Sequence, residues 1–123
     1  MSDADSLLAQ AVAAFNAGNL RTAADRFERA ATTLAAARPA DAVLALESAA
    51  RVRLMLDQPR HAALAAAKAK ALHPESARVA RIAAEVVDHG GDRESRRAAW
   101  RQVTERGEGD QKRAAYVRLA YLS

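Results

Sequence analysis

The chain has 123 residues, a length that suits one domain with a real hydrophobic core but not two. Half of its residues are hydrophobic but only 4% are aromatic, so Ala, Leu and Val must fill most of the core. The lack of cysteine excludes disulfides and thiolate metal sites, and the formal net charge of +4 raises the question of a polyanionic partner.

Turn signals divide the chain into seven segments that we predict to be helical. The signals lie at 16–20, 38–41, 56–59, 72–76, 88–92 and 106–110. Pro39, Pro59 and Pro74 each suit the first turn of a helix or the position just before one. Asp110 suits the N-cap of the last helix. No segment alternates β-branched and polar residues, so the sequence predicts an all-α domain without strands.

The stretch "LDQPRHAALAAAKAKALHP", residues 56–74, has a narrow face of small side chains. The residues that recur on this face at helical spacing are Ala62, Ala65, Ala66 and Ala69. Small side chains let another backbone come close, so we expect this face to be buried in a closely packed stack of helices.

The segment "DRESRRAAWRQVTER", residues 92–106, interleaves arginines with acidic residues. This pattern is typical of a solvated helix face with i,i+4 ion pairs, and we favour that interpretation over a phosphate-binding strip. Abundant Ala and Arg also indicate GC-rich coding, which weakens net charge as evidence for a nucleic-acid partner. The last segment, "DQKRAAYVRLAYLS", is amphipathic and suits a helix that caps a stack.

The turn signals also recur along the chain. Gly18, Asp57 and Gly91 occupy equivalent points in "NAGNL", "MLDQP" and "DHGGD", at separations of 39 and then 34 residues. After the first turn, Ala23 is followed by a large residue four positions later, Phe27, and by an alanine three positions after that, Ala30. In these features the chain resembles the tetratricopeptide repeat family, whose period is 34 residues.

The chain also departs from that family at several positions. Ala14, Arg53 and Val87 stand where the family usually has Tyr, and Arg96 stands on a small-residue position. The resemblance implies a right-handed α-solenoid of seven helices over residues 1–123. Its repeats would span about 5–38, 40–73 and 75–108, with a capping helix at about 110–122.

In this family the first helix of each repeat lines a concave groove that binds a peptide or a helix. Carried over to this chain, the resemblance assigns the groove to three sets of residues. These are Leu8, Val12, Phe15 and Asn16 in the first repeat, Glu47 and Arg51 in the second, and Arg78, Arg81 and Glu85 in the third. The same faces include Asp5, Leu44, Leu54, Met55, Asp88 and His89.

We therefore predict a non-enzymatic adaptor that binds another protein. An apolar first repeat beside an Arg- and Glu-rich third repeat favours an amphipathic partner segment with an acidic end. The alternatives are a nucleic-acid-associated or transcription-regulatory module, which we favour less, and a self-associating structural protein. We expect a monomer or a homodimer.

We expect neither a cofactor nor a metal ion. His61, His73 and His89 lack metal-ligand spacing, and no nucleophile, base and orienting acid stand together in the sequence. The acidic start of the chain and the lack of a long apolar run predict no membrane association and a cytoplasmic location.

Overall fold

The computed structural model describes residues 3–90, 92–106 and 118–119. These residues form helices and contain no strand, which confirms the all-α prediction for this part of the chain. The six helices are α1 (Asp3–Asn16), α2 (Leu20–Leu34), α3 (Pro39–Met55), α4 (Pro59–Leu72), α5 (Ala77–Gly90) and α6 (Arg93–Arg106). The predicted seventh helix, with Asp110 as its N-cap, lies outside the described residues apart from Arg118 and Leu119, which are helical.

Prolines begin two of the helices, as the sequence predicts. Pro39 and Pro59 occupy the first turns of α3 and α4, where a missing N–H removes no intrahelical hydrogen bond. Pro74 lies in the turn before α5, where the chain has left α4 and not yet begun the next helix.

The α1–α2 and α3–α4 turns have the same backbone geometry. Gly18 and Asp57 both adopt positive φ, +83° and +57°. Two hydrogen bonds close each turn: Gly18 N–H to Phe15 O (3.0 Å) and Asn19 N–H to Ala14 O (2.8 Å) in the first, with matching bonds of 3.0 and 2.8 Å in the second. This is the Schellman arrangement that satisfies the last carbonyls of a helix. The turn that contains Gly91 is not fully described.

Alanine fills most of the core. Helix α2 contributes three fully buried alanines, Ala23, Ala24 and Ala30, and Phe27, which is 9% exposed. The small-residue face of α4 is also buried, which confirms the prediction for residues 62–69, and α4 packs on both α3 and α5. Such a core depends on close backbone approach because each methyl group removes little area from water.

Each helix packs on the next one along the chain, and α3 also packs on α5. Among the described residues, the first two helices make no extensive contact with the last two. Arg53 of α3, which the resemblance aligns with a tyrosine of the tetratricopeptide family, is only 13% exposed in its side chain and forms two hydrogen bonds with the Glu28 carboxylate of α2, at 2.7 and 3.3 Å. An ion pair thus joins α3 to α2.

A second, smaller core joins α5 to α6. Ala84, Trp100 and Val103 are buried there, and Leu119 packs against them. Arg96, which stands on a small-residue position of the family, points to Asp88 of α5 at 2.8 Å. The Asp88 carboxylate also pairs with Arg118. Although burial of Asp88 opposes its ionisation, the two guanidinium groups outweigh it and hold the pKa of this carboxyl below its ordinary value.

Candidate functional site

An open apolar groove lies between α1 and α3. It consists of two cavities of about 340 and 160 Å³ that share Phe27 and Ser48. The first is lined by Val12, Phe15, Phe27, Ser48, Arg51, Val52 and Met55, and the second by Leu8, Phe27, Arg38, Asp41, Leu44, Ala45 and Ser48. We call the two together the α1–α3 groove.

The groove exists because α1 and α3 both pack on α2. Phe27 of α2 is 9% exposed and lines both cavities, so its ring forms a shared wall beneath the two flanking helices. On α1, Leu8, Val12 and Phe15 follow one another at i, i+4 and i+7, which places them on one face over about 10 Å. The groove therefore presents a continuous apolar row rather than a single pocket.

Exposed apolar surface is concentrated at this groove. The described part of the chain has five exposed large hydrophobic residues, and four of them line the groove: Val12, Phe15, Leu44 and Met55, which are 50, 41, 44 and 59% exposed. The fifth, Leu64, is on α4. Contiguous exposed apolar surface with a polar edge is typical of interaction sites.

An ion-pair network continues from the groove onto α5. Arg51 of α3 contacts Glu47 one turn earlier (2.6 Å) and Glu85 of α5 (3.1 Å). Arg78 contacts Glu47 (3.0 Å), and Arg81 contacts Glu85 (3.4 Å). We call these five residues the α3–α5 network. It begins at the groove because Arg51 belongs to both.

The α3–α5 network has three guanidinium groups and two carboxylates, so it retains one excess positive charge. Glu47 is only 6% exposed, and its two oxygens each accept a hydrogen bond from a different arginine. Arg51 is partly desolvated, which opposes its charge, but the two carboxylates outweigh this and raise its pKa. The side chains of Arg78 and Arg81 remain 51% and 32% exposed, and each is left with N–H donors facing outward.

The predicted site residues fall into these two adjoining sets, with one outlier. Leu8, Val12 and Phe15 line the groove, and the five charged residues form the network. Asn16 is exposed at the end of α1 and lines neither cavity. The three arginines are held by carboxylates rather than left in mutual contact, and whether a partner binds them stays a prediction.

Sequence reasoning did not assign Phe27 to the groove. Phe27 matches the large packing position of the repeat motif and is buried against the core, yet one side of its ring faces the groove. Ser48 follows Glu47 and faces the groove instead of the network. A signal for Phe27 was available: it is one of only two phenylalanines, and the other, Phe15, was already assigned to the groove.

The α6 arginines differ from expectation. Among the described side chains, α6 forms no i,i+4 ion pair, so the predicted pattern of internal pairing is wrong for this helix. Asp92 lies four residues before Arg96, but Arg96 pairs with Asp88 of α5 and the Asp92 carboxylate accepts a hydrogen bond from the Ser95 N–H. The i,i+4 neighbours of Arg97 are Arg93 and Arg101, both cations. The only i,i+4 acid for Arg101 is Glu105, in the less favourable order of base before acid.

Within the described residues, no group of three or more His, Cys, Asp or Glu side chains is placed to hold a metal ion. None of the described helices has both the length and the apolarity required to cross a membrane. Comparison of the chain with protein-family models and with curated proteins finds no match.

Proposed function

We propose that this chain is a non-enzymatic adaptor that binds an amphipathic helix or peptide of a partner protein in the α1–α3 groove. The observation that carries the proposal is the clustering of four of the five exposed large hydrophobic residues at one groove. Leaving such a surface in water is unfavourable, and covering it with apolar side chains of a partner would stabilise a complex.

The proposed architecture is a right-handed α-solenoid of tetratricopeptide type, with three helix pairs and a seventh, capping helix. Three features support it. The α1–α2 and α3–α4 turns share positive φ and the same two hydrogen bonds. Packing is sequential, with an added contact between the first helices of two successive pairs, α3 and α5. Arg51 meets Glu85, which is one 34-residue period further along the chain.

A helical partner fits the dimensions of the groove. Leu8, Val12 and Phe15 give about 10 Å of apolar surface along α1, which is wide enough to take the apolar end of a partner helix that crosses from α1 over α3 to α5. At the α5 side of the groove, the outward N–H donors of Arg78 and Arg81 suit carboxylates of the same segment. The favoured partner is thus apolar over α1 and acidic over α5.

A peptide-display selection on the immobilised protein tests this function. We expect the selected peptides to carry apolar residues at helical spacing, and Phe15→Ala and Met55→Ala to speed their dissociation. The matched control is Leu64→Ala, which also truncates an exposed apolar side chain but outside the groove, and it should leave dissociation unchanged. If all three variants bind the selected peptides like the wild type, the groove is not the site.

The acidic end of the partner is tested separately. Replacing both Arg78 and Arg81 with Gln should slow association of the same peptides and reduce its dependence on salt, because rim charges act mainly on the rate of encounter. Replacing the exposed Arg21 and Arg60 with Gln removes the same charge elsewhere and is the control. An equal effect of both double variants would mean that only net charge matters.

A further inference from the structure

One side of α6 carries a row of arginines. Arg93, Arg97 and Arg101 follow at i, i+4 and i+8, so they lie on one face over about 12 Å. Together with Glu94 and Ala98 they line a cavity of about 390 Å³. None of their three guanidinium groups forms an ion pair or hydrogen bond with any residue that the structure describes.

The row is separate from the ion pair that holds α6 in place. Arg96, the remaining arginine of the first two turns, points inward to Asp88 at 2.8 Å, whereas the row faces the cavity. Cations at i,i+4 destabilise a helix when nothing offsets them. By contrast, the three arginines of the α3–α5 network share two carboxylates. Carboxylates on the surface of a partner would offset the repulsion between the arginines of α6.

We propose that the α6 arginine row binds an acidic helix of a partner protein, at a site distinct from the α1–α3 groove. The cations repeat about every 6 Å along α6, and carboxylates at i,i+4 on a partner helix repeat at the same interval. Ala98 lies beside the row. Because its side chain is small, a second helix can reach the guanidinium groups without a bulky side chain between them. Arg supplies planar, always-charged donors for these carboxylates.

Two features favour a protein partner over nucleic acid. Glu94 adjoins the row and repels a continuous phosphate backbone. Trp100, the one aromatic residue of α6, is 5% exposed and therefore provides no ring on which a base could stack.

Fluorescence anisotropy with a labelled synthetic helix tests the proposal. The probe contains only Ala, Gln and Glu, with Glu at i, i+4 and i+8, so it lacks the anchors that the groove requires. We expect saturable binding that weakens as salt is added and falls by about tenfold in the double variant Arg97→Gln, Arg101→Gln. The double variant Arg21→Gln, Arg60→Gln, which removes the same charge elsewhere, should bind like the wild type.

Two further probes make the result decisive. A peptide of the same composition with its Glu residues distributed around the helix should bind several-fold more weakly, and equal binding of the two peptides would overturn the proposed register. A labelled DNA duplex should bind less tightly than the acidic helix. Tighter binding of the duplex, with dependence on Arg97 and Arg101, would make the row a nucleic-acid site. No binding of any probe would also overturn the proposal, and none of these outcomes bears on the groove.

Discussion

Replacing Ala62 with Leu tests the close packing of α4 most directly. Ala62 is fully buried, and the other three alanines of its face are at most 6% exposed. The helix packs on both α3 and α5. An isobutyl group in place of a methyl has no space at such a position, so the neighbouring helices must shift or the side chain must leave its preferred rotamer. We expect the free energy of unfolding to fall by about 1 to 3 kcal/mol.

The magnitude converts to a thermal shift that is easy to measure. A chain of this length has an unfolding entropy of about 0.26 kcal/mol per kelvin near 60 °C, so the midpoint should fall by about 4 to 12 °C. The control is Ala63→Leu, the same substitution one position along, where the side chain is exposed and helix propensity changes little. Calorimetry or circular dichroism melts of both variants serve as the assay. If Ala62→Leu melts with the wild type, the argument for close packing fails.

Three further experiments probe other parts of the fold. Gly18→Ala forces a side chain into positive φ and should destabilise by about 1 kcal/mol, whereas Gly90→Ala, at a helix end with equally open space, should be neutral or slightly stabilising in urea unfolding. Glu28→Gln leaves Arg53 with a weaker partner and should cost about 1 to 3 kcal/mol, and a double-mutant cycle with Arg53→Leu should show positive coupling. Because the folded pKa of Asp88 is lowered, its ion pairs stabilise the fold above the ordinary Asp pKa of about 3.9 and lose that effect as pH falls through the folded pKa. The stability difference between wild type and Asp88→Asn should therefore shrink between pH 7 and pH 3, and a constant difference would contradict the assigned cause.

The helices were predictable because local signals determine where they begin and end. Proline at the first turn and a residue with positive φ after the last turn are properties of short stretches, so Pro39, Pro59 and Gly18 can be interpreted without tertiary information. Burial of the α4 alanines follows from helical periodicity, which is also local. These features account for the success of the all-α prediction.

The partners of charged side chains were not predictable in the same way. Glu47 has an i,i+4 partner in Arg51, which the sequence shows, but its second partner, Arg78, lies 31 residues away and is set by how α3 packs on α5. In α6 the composition suggested internal pairing, but Arg96 pairs with Asp88 of α5, and Arg97 has a cation one turn away on each side. Composition gives the number of charged residues in a helix. Their spacing along the helix and the packing of neighbouring helices determine which of them form ion pairs.

On the proposed repeat architecture, the chemistry of the candidate site changes along one line of equivalent positions. Leu8 and Val12 on α1 correspond, 39 residues on, to Glu47 and Arg51 on α3, and the next period places Arg81 and Glu85 on α5. On the proposed function, this order gives a partner helix a direction: apolar anchors over α1 and carboxylates over α5. A peptide with the reverse order would place its carboxylates against the ring of Phe27 and its apolar side chains against the arginines, so both ends would lose water without compensation. A selected peptide and its order-reversed counterpart should therefore differ at least tenfold in Kd. Equal affinity would mean that the groove binds apolar surface without regard to direction.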